Sequence, residues 1–188
     1  MSGIVEHAGL RACCGAIVAS AVLAGCARDP IVTTAGSTMA GNWQVEHQVD
    51  RISGAPIPSA ILLTRKVSNG KVLFLGAATM QLSCFKTQPA ALFHFPVKIG
   101  SNRNGEFAYR FDDKPGHIGK ARFIDDYRSV VIEDKTEMTR FVGEMATSKV
   151  LYVLIRSLNE PRTSAEFSLE GAPDAIKAGL AGCPLTTS

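Results

Sequence analysis

The chain has 188 residues, a formal net charge of +3, and 46% hydrophobic against 20% charged residues. This is the composition of one globular domain with a real core. Lys and Arg are interspersed with Asp and Glu throughout, which argues against a nucleic-acid partner.

Met1 to Arg11 is short and mixed in character, and Ala12 to Gly25, "ACCGAIVASAVLAG", carries no charge. As a helix this run of 14 residues would be about 21 Å long, short of a hydrocarbon core of about 30 Å. It has the size of a signal-peptide apolar region. Leu23-Ala24-Gly25-Cys26 ends the run and resembles the lipobox of bacterial lipoproteins. The resemblance implies cleavage between Gly25 and Cys26 and a lipid on the Cys26 thiol. Residues 1–25 are then a leader and 26–40 a lipidated flexible tether rich in Thr, Ser, Gly and Ala. A single α+β domain facing the periplasm is expected over 41–188. Ala27 is not the Asp that marks inner-membrane retention in such proteins, so the resemblance favours the outer membrane.

Of five Cys, Cys13 and Cys14 fall in the leader and Cys26 is taken by lipid, leaving Cys84 and Cys183. Two thiols in an exported domain are most simply one disulfide. Two buried free thiols are the alternative. Neither Cys has a CxxC or CxxH companion, so zinc has no support.

"WQVEHQV" from Trp43 alternates apolar and polar residues and reads as a strand, which "GAPIP" from Gly54 breaks. "AILLTRKV" from Ala60 reads as a second strand, followed by the turn signal Asn69-Gly70. "VLFLGAATMQLSCF", "ALFHFPVKIG", "EFAYRFDD" and "SVVIED" read as further strands. Pro96 predicts an edge position or a bulge. Asp134 is placed to cap a helix, and Met138, Phe141, Val142 and Met145 give it one apolar stripe. "VLYVLIRS" from Val150 predicts a central strand buried on both faces. "SAEFSLEG" predicts a strand with Ala165, Phe167 and Leu169 inward. Pro173 opens a last helix on which Ile176, Leu180 and Cys183 share a face aimed at the sheet. The fold class is therefore α+β: a mainly antiparallel sheet, two packed helices and one disulfide.

No HExxH, Gly-rich phosphate loop, EF-hand loop or G-x-S-x-G elbow is present in the sequence. The densest cluster of reactive groups is "RFDDKPGH" from Arg110, with "DDY" from Asp125. Asp112, Asp113 and His117 would suit an acid/base or metal site if they converged. The same residues make an ordinary charged turn, with Pro115 and Gly116 supplying the bend. Arg103 and Arg110, with these three, are candidate partner-binding residues. Neither a cofactor nor a metal ion is expected, and the domain is read as non-enzymatic.

Two resemblances bear on function. Leu82-Ser83-Cys84, Tyr109-Arg110-Phe111-Asp112, Phe141, Leu151 to Arg156, Phe167-Ser168-Leu169-Glu170-Gly171 and Cys183 follow in the order seen in VasI-like proteins associated with type VI secretion. The chain resembles that family over roughly 80–183, which implies an accessory role with an envelope protein partner, beside the membrane held through the lipid anchor. "GNWQVEH" is similar to the opening strand of small barrel lipoproteins that inhibit proteases, which implies a small-ligand or inhibitor module as the alternative.

Overall fold

The computed structural model describes residues 32–70, 76–101 and 104–185. Gly25, Cys26 and Arg103 lie outside the described residues.

Among the described residues the chain forms β1 (Val32–Ala40), β2 (Trp43–Asp50), β3 (Pro56–Thr64), β4 (Val67–Asn69), β5 (Ala78–Phe85), β6 (Gln88–His94), β7 (Gly105–Phe111), β8 (His117–Ile118), β9 (Arg122–Ile124), β10 (Ser129–Ile132), α1 (Lys135–Met145), β11 (Val150–Ser157), β12 (Thr163–Ser168) and α2 (Ala172–Gly179). Every pairing is antiparallel, as expected for an α+β domain. The strands divide into two sheets rather than one: β1-β2-β3-β5-β6-β10-β9 and β4-β12-β11-β7-β8.

The period-two patterns dictate which faces meet. Trp43 and Val45 of β2, Leu62 of β3, Met80 and Leu82 of β5, and Phe93 of β6 are buried on the first sheet. Phe107, Tyr109 and Phe111 of β7, Val153 of β11 and Phe167 of β12 are buried on the second. Phe93 joins them, with its ring centroid 5.3 Å from Phe107, 6.0 Å from Phe141 and 6.0 Å from Phe167. Truncating such a fully buried Phe to Ala costs about 3–5 kcal/mol. The sheets adjoin at a corner. The strand expected through Ala60–Val67 breaks at Arg65–Lys66, and the chain crosses from β3 into β4. There Thr64 Oγ1 donates to the Glu166 carbonyl at 2.6 Å, and the Glu166 N–H donates to the Lys66 carbonyl at 3.0 Å.

Several local expectations change. Residues from Val32 onward, expected in the tether, pair with β2 as an edge strand, because Thr-rich sequence suits a ladder as well as a linker. β11 is central in its sheet yet buried on one face. Leu151, Val153 and Ile155 point inward while Tyr152 is 38% exposed. Pro96 marks neither an edge nor a bulge; β6 ends at His94, before it.

Both helices start as expected. Asp134 accepts the Glu137 N–H at 3.0 Å, and Met138, Phe141, Val142 and Met145 of α1 are buried. α2 carries Pro173 in its first turn and follows Gly171 at φ +85°. Gly171 and Gly41 (φ +58°) meet where the β1–β2 and β12–α2 turns touch. A Cβ on Gly171 would lie 2.1 Å from the Ala40 carbonyl oxygen, so no other residue fits there. No helix among the described residues is long and apolar enough to cross a membrane.

Candidate functional site

Cys84 and Cys183 are bonded, with Cα atoms 5.7 Å apart. Cys183 does not ride on the helical stripe as expected. α2 ends at Gly179, and the Cys183 N–H returns to the Leu180 carbonyl in a turn. In its last turn, at Gly179, the helix lies too close to the sheet for a side chain. A Cβ on Gly179 would sit 2.9 Å from Ala60 Cβ and 3.1 Å from the Leu82 carbonyl oxygen.

Beyond this early stop a recess opens. Trp43, Val45, His47 and Val49 share the inner face of β2 and pair with Leu62, Ala60, Pro58 and Pro56 of β3. α2 covers the Trp43–Val45 half, where both side chains are buried; His47 is exposed and Val49 half-buried. Over that uncovered half opens a cavity of about 740 Å³, walled by Val49, Pro56, Pro58, Cys84, Phe85 and Ala181 among others. That volume lies in the range of small-molecule and cofactor pockets. Its walls are predominantly apolar. The nearby acidic groups are engaged locally. Glu46 accepts from Gln44 and Gln48, and Asp50 accepts the Ile52 N–H at 2.7 Å and the Ser53 N–H at 3.2 Å. Those backbone donors hold the Asp50 carboxyl below the usual carboxylate range. At the rim, Lys86 lies 5.3 Å from the Phe85 ring centroid, and Lys86 and Thr87 adopt left-handed φ of 49° and 65°.

The candidate residues at 110–117 do not converge on one site, and they serve the turn and its neighbours. Asp112 Oδ1 accepts the Lys149 N–H at 3.0 Å and the Val150 N–H at 2.8 Å, fastening β7 to the start of β11. Asp113 is exposed. Lys114 Nζ donates to the Glu144 carbonyl, Thr147 Oγ1 and Ser148 Oγ, closing the C-terminus of α1. His117 Nε2 lies 2.8 Å from Glu144 Oε1. Lys114 and His117 thus clasp the end of α1 to the second sheet, while Asp112 serves the backbone of β11. Arg110 stands apart, 5.1 Å from the centroid of the partly exposed Tyr152 ring on the outer face of that sheet.

Two polar groupings were not legible in the sequence. Buried Tyr109 donates to Glu137 Oε1 at 2.7 Å, while Arg140 donates to Glu137 Oε2 at 2.5 Å. Burial, then the Glu137 carboxylate, pushes the Tyr109 hydroxyl well above its ordinary ionisation range. Elsewhere His94, Ser129 and Asp125 meet. His94 Nδ1 is 2.9 Å from Ser129 Oγ and 3.3 Å from Asp125 Oδ2. Hydroxyl and carboxylate thus address the same ring nitrogen, whereas a nucleophile relay needs them on opposite nitrogens. Ser129 is 2% exposed, so the trio ties β6 to the β9–β10 turn. No group of three or more His, Cys, Asp or Glu among the described residues is arranged to hold a metal ion.

The recess had a partial signal. The alternation "WQVEHQV" continues inward-facing positions to Val49, but only the end of α2 reveals that the last two go uncovered. Compared with family models, with curated proteins and with solved structures, the chain shows no match.

Proposed function

We propose that this chain is a lipid-anchored envelope protein whose disulfide-braced domain binds another envelope protein without catalysing a reaction. The observation that carries the reading is the Cys84–Cys183 bond. It pairs two of the five cysteines and fits an oxidising compartment, while Cys26 stays available for lipid at the end of the apolar run. Intact mass of the membrane-extracted protein, with and without reductant, tests it. The expected species begins at Cys26, carries acyl groups and gains two hydrogens on reduction. An unmodified Cys26 overturns the anchor.

The partner face we favour is the outer side of the five-stranded sheet, where Arg110 and Tyr152 stack in solvent; Arg and Tyr are enriched at interface hot spots. Crosslinking in cells should retain an envelope protein with the parent chain and lose it with Arg110→Glu. Equal recovery with both removes Arg110 from the interface. The VasI-like resemblance is consistent with an accessory role of this kind. A small-ligand module is the second reading, favoured by the apolar cavity beside the disulfide.

A further inference from the structure

The cavity and the start of the described chain lie at the same end of the seven-stranded sheet. Val32 opens β1 and pairs with Asp50, the last residue of β2, and Asp50 itself helps to wall the cavity. The segment before Val32 therefore joins the domain at the cavity end. Cys26 lies only six residues before Val32, so roughly 20 Å of extended chain at most separates them. A lipid on Cys26 would hold this end of the domain close to the bilayer.

The surface presented there suits that position. Ile52, in the β2–β3 turn, is 83% exposed and Phe85, at the rim, is 54% exposed. Phe85 lies beside Lys86, and an exposed apolar ring next to a cation is the pairing of segments that lie in the membrane interface. The turn that displays them is costly. Left-handed backbone at two successive positions normally calls for Asn-Gly, yet Lys86 and Thr87 occupy it. Charge does not explain the surface, because Glu46 and Asp50 stand beside Lys86 around the same recess.

We propose that this open end, from Ile52 across the cavity mouth to Phe85 and Lys86, rests on the lipid bilayer and takes up its interfacial hydrocarbon. The proposal deepens the reading above and rests on membrane attachment through Cys26. Contact is apolar in origin, so it persists at high salt and on zwitterionic lipid.

The test places a tryptophan at the contact. The full chain is extracted from membranes and reconstituted into phosphatidylcholine vesicles with brominated acyl chains. Phe85→Trp reports from the rim and Ile52→Trp from the adjacent turn, where exposure removes any folding cost. Leu158→Trp is the control: it is 87% exposed and adjoins Ser157, which packs near Gly100 by the opposite edge of the sheet. The native Trp43 is fully buried and supplies a constant background. Quenching of the two rim reporters should exceed that of the control by about twofold or more, unchanged by salt, since interfacial burial reaches about 5–10 Å into the lipid. Equal quenching at all three sites overturns the proposal. So does a blue-shifted Phe85→Trp emission without bromolipid quenching, which would mean that protein covers the site. Intact mass of the same samples separates the two readings. Lipidated Cys26 with unquenched rim reporters refutes the docking alone, and quenched reporters on a chain without acyl groups refute the anchor alone.

Discussion

Removing the Cys84–Cys183 bond by Cys84→Ala with Cys183→Ala frees a loop of 99 positions. Chain entropy for a closed loop of that length is worth about 4.7 kcal/mol at 25 °C, nearly all of it exerted on the unfolded chain. The native state should change little, because α2 is held independently by its contact of Gly179 against Ala60 and Leu82. With a urea slope of about 2 kcal/mol per molar, the midpoint should fall by about 2 M. The slope should also steepen, since an uncrosslinked chain exposes more surface when it unfolds. Trp43, the single tryptophan and fully buried, gives the fluorescence signal. Amide exchange in α2 checks that the native helix stays docked. A loss below about 1 kcal/mol with an unchanged slope would refute the entropic reasoning.

Three further outcomes follow from particular contacts. Asp112→Ala removes the acceptor for the Lys149 and Val150 N–H groups and should cost about 1–3 kcal/mol in urea unfolding, with Asp112→Asn retaining most of the stability. Equal losses would mean that the backbone contacts do not matter. Gly171→Ala, at φ +85° with a Cβ 2.1 Å from a carbonyl oxygen, should cost about 2–5 kcal/mol by thermal unfolding. A loss within about 0.5 kcal/mol would contradict the close approach. Tyr109→Phe should cost about 1–3 kcal/mol at neutral pH by leaving Glu137 Oε1 without a donor. Because the folded state raises the Tyr109 ionisation range, its contribution is complete below the ordinary value of 10.0 and is lost as pH climbs above it. The parent should therefore lose stability over that alkaline window more steeply than Tyr109→Phe, and parallel pH curves would remove Tyr109 from the account.

Much of the local structure was written in side-chain order. The alternation at Trp43–Val49, the Asp134 cap, the stripe Met138–Phe141–Val142–Met145 and the inward Ala165, Phe167 and Leu169 all depend on neighbours a few positions apart. Pairing the last two cysteines needed only a count, once Cys26 was assigned to lipid. The candidate cluster at 110–117 was visible as composition and misleading as geometry. Asp112 is claimed by the backbone at the start of β11, and His117 and Lys114 by Glu144 of α1 and the residues just after that helix, all more than twenty positions away. The same limit hid the two-sheet arrangement. An apolar run such as "VLYVLIRS" has the same composition whether one face or both are buried, and only the partner layers decide. The recess shows the point most sharply. His47 and Val49 continue a core-facing pattern, and whether they are core depends on a helix more than a hundred residues later that stops at Gly179. Periodicity is a property of the backbone and can be read along the chain. Coverage is a property of layers brought together from distant segments, so burial and open surface are settled only when those layers pack.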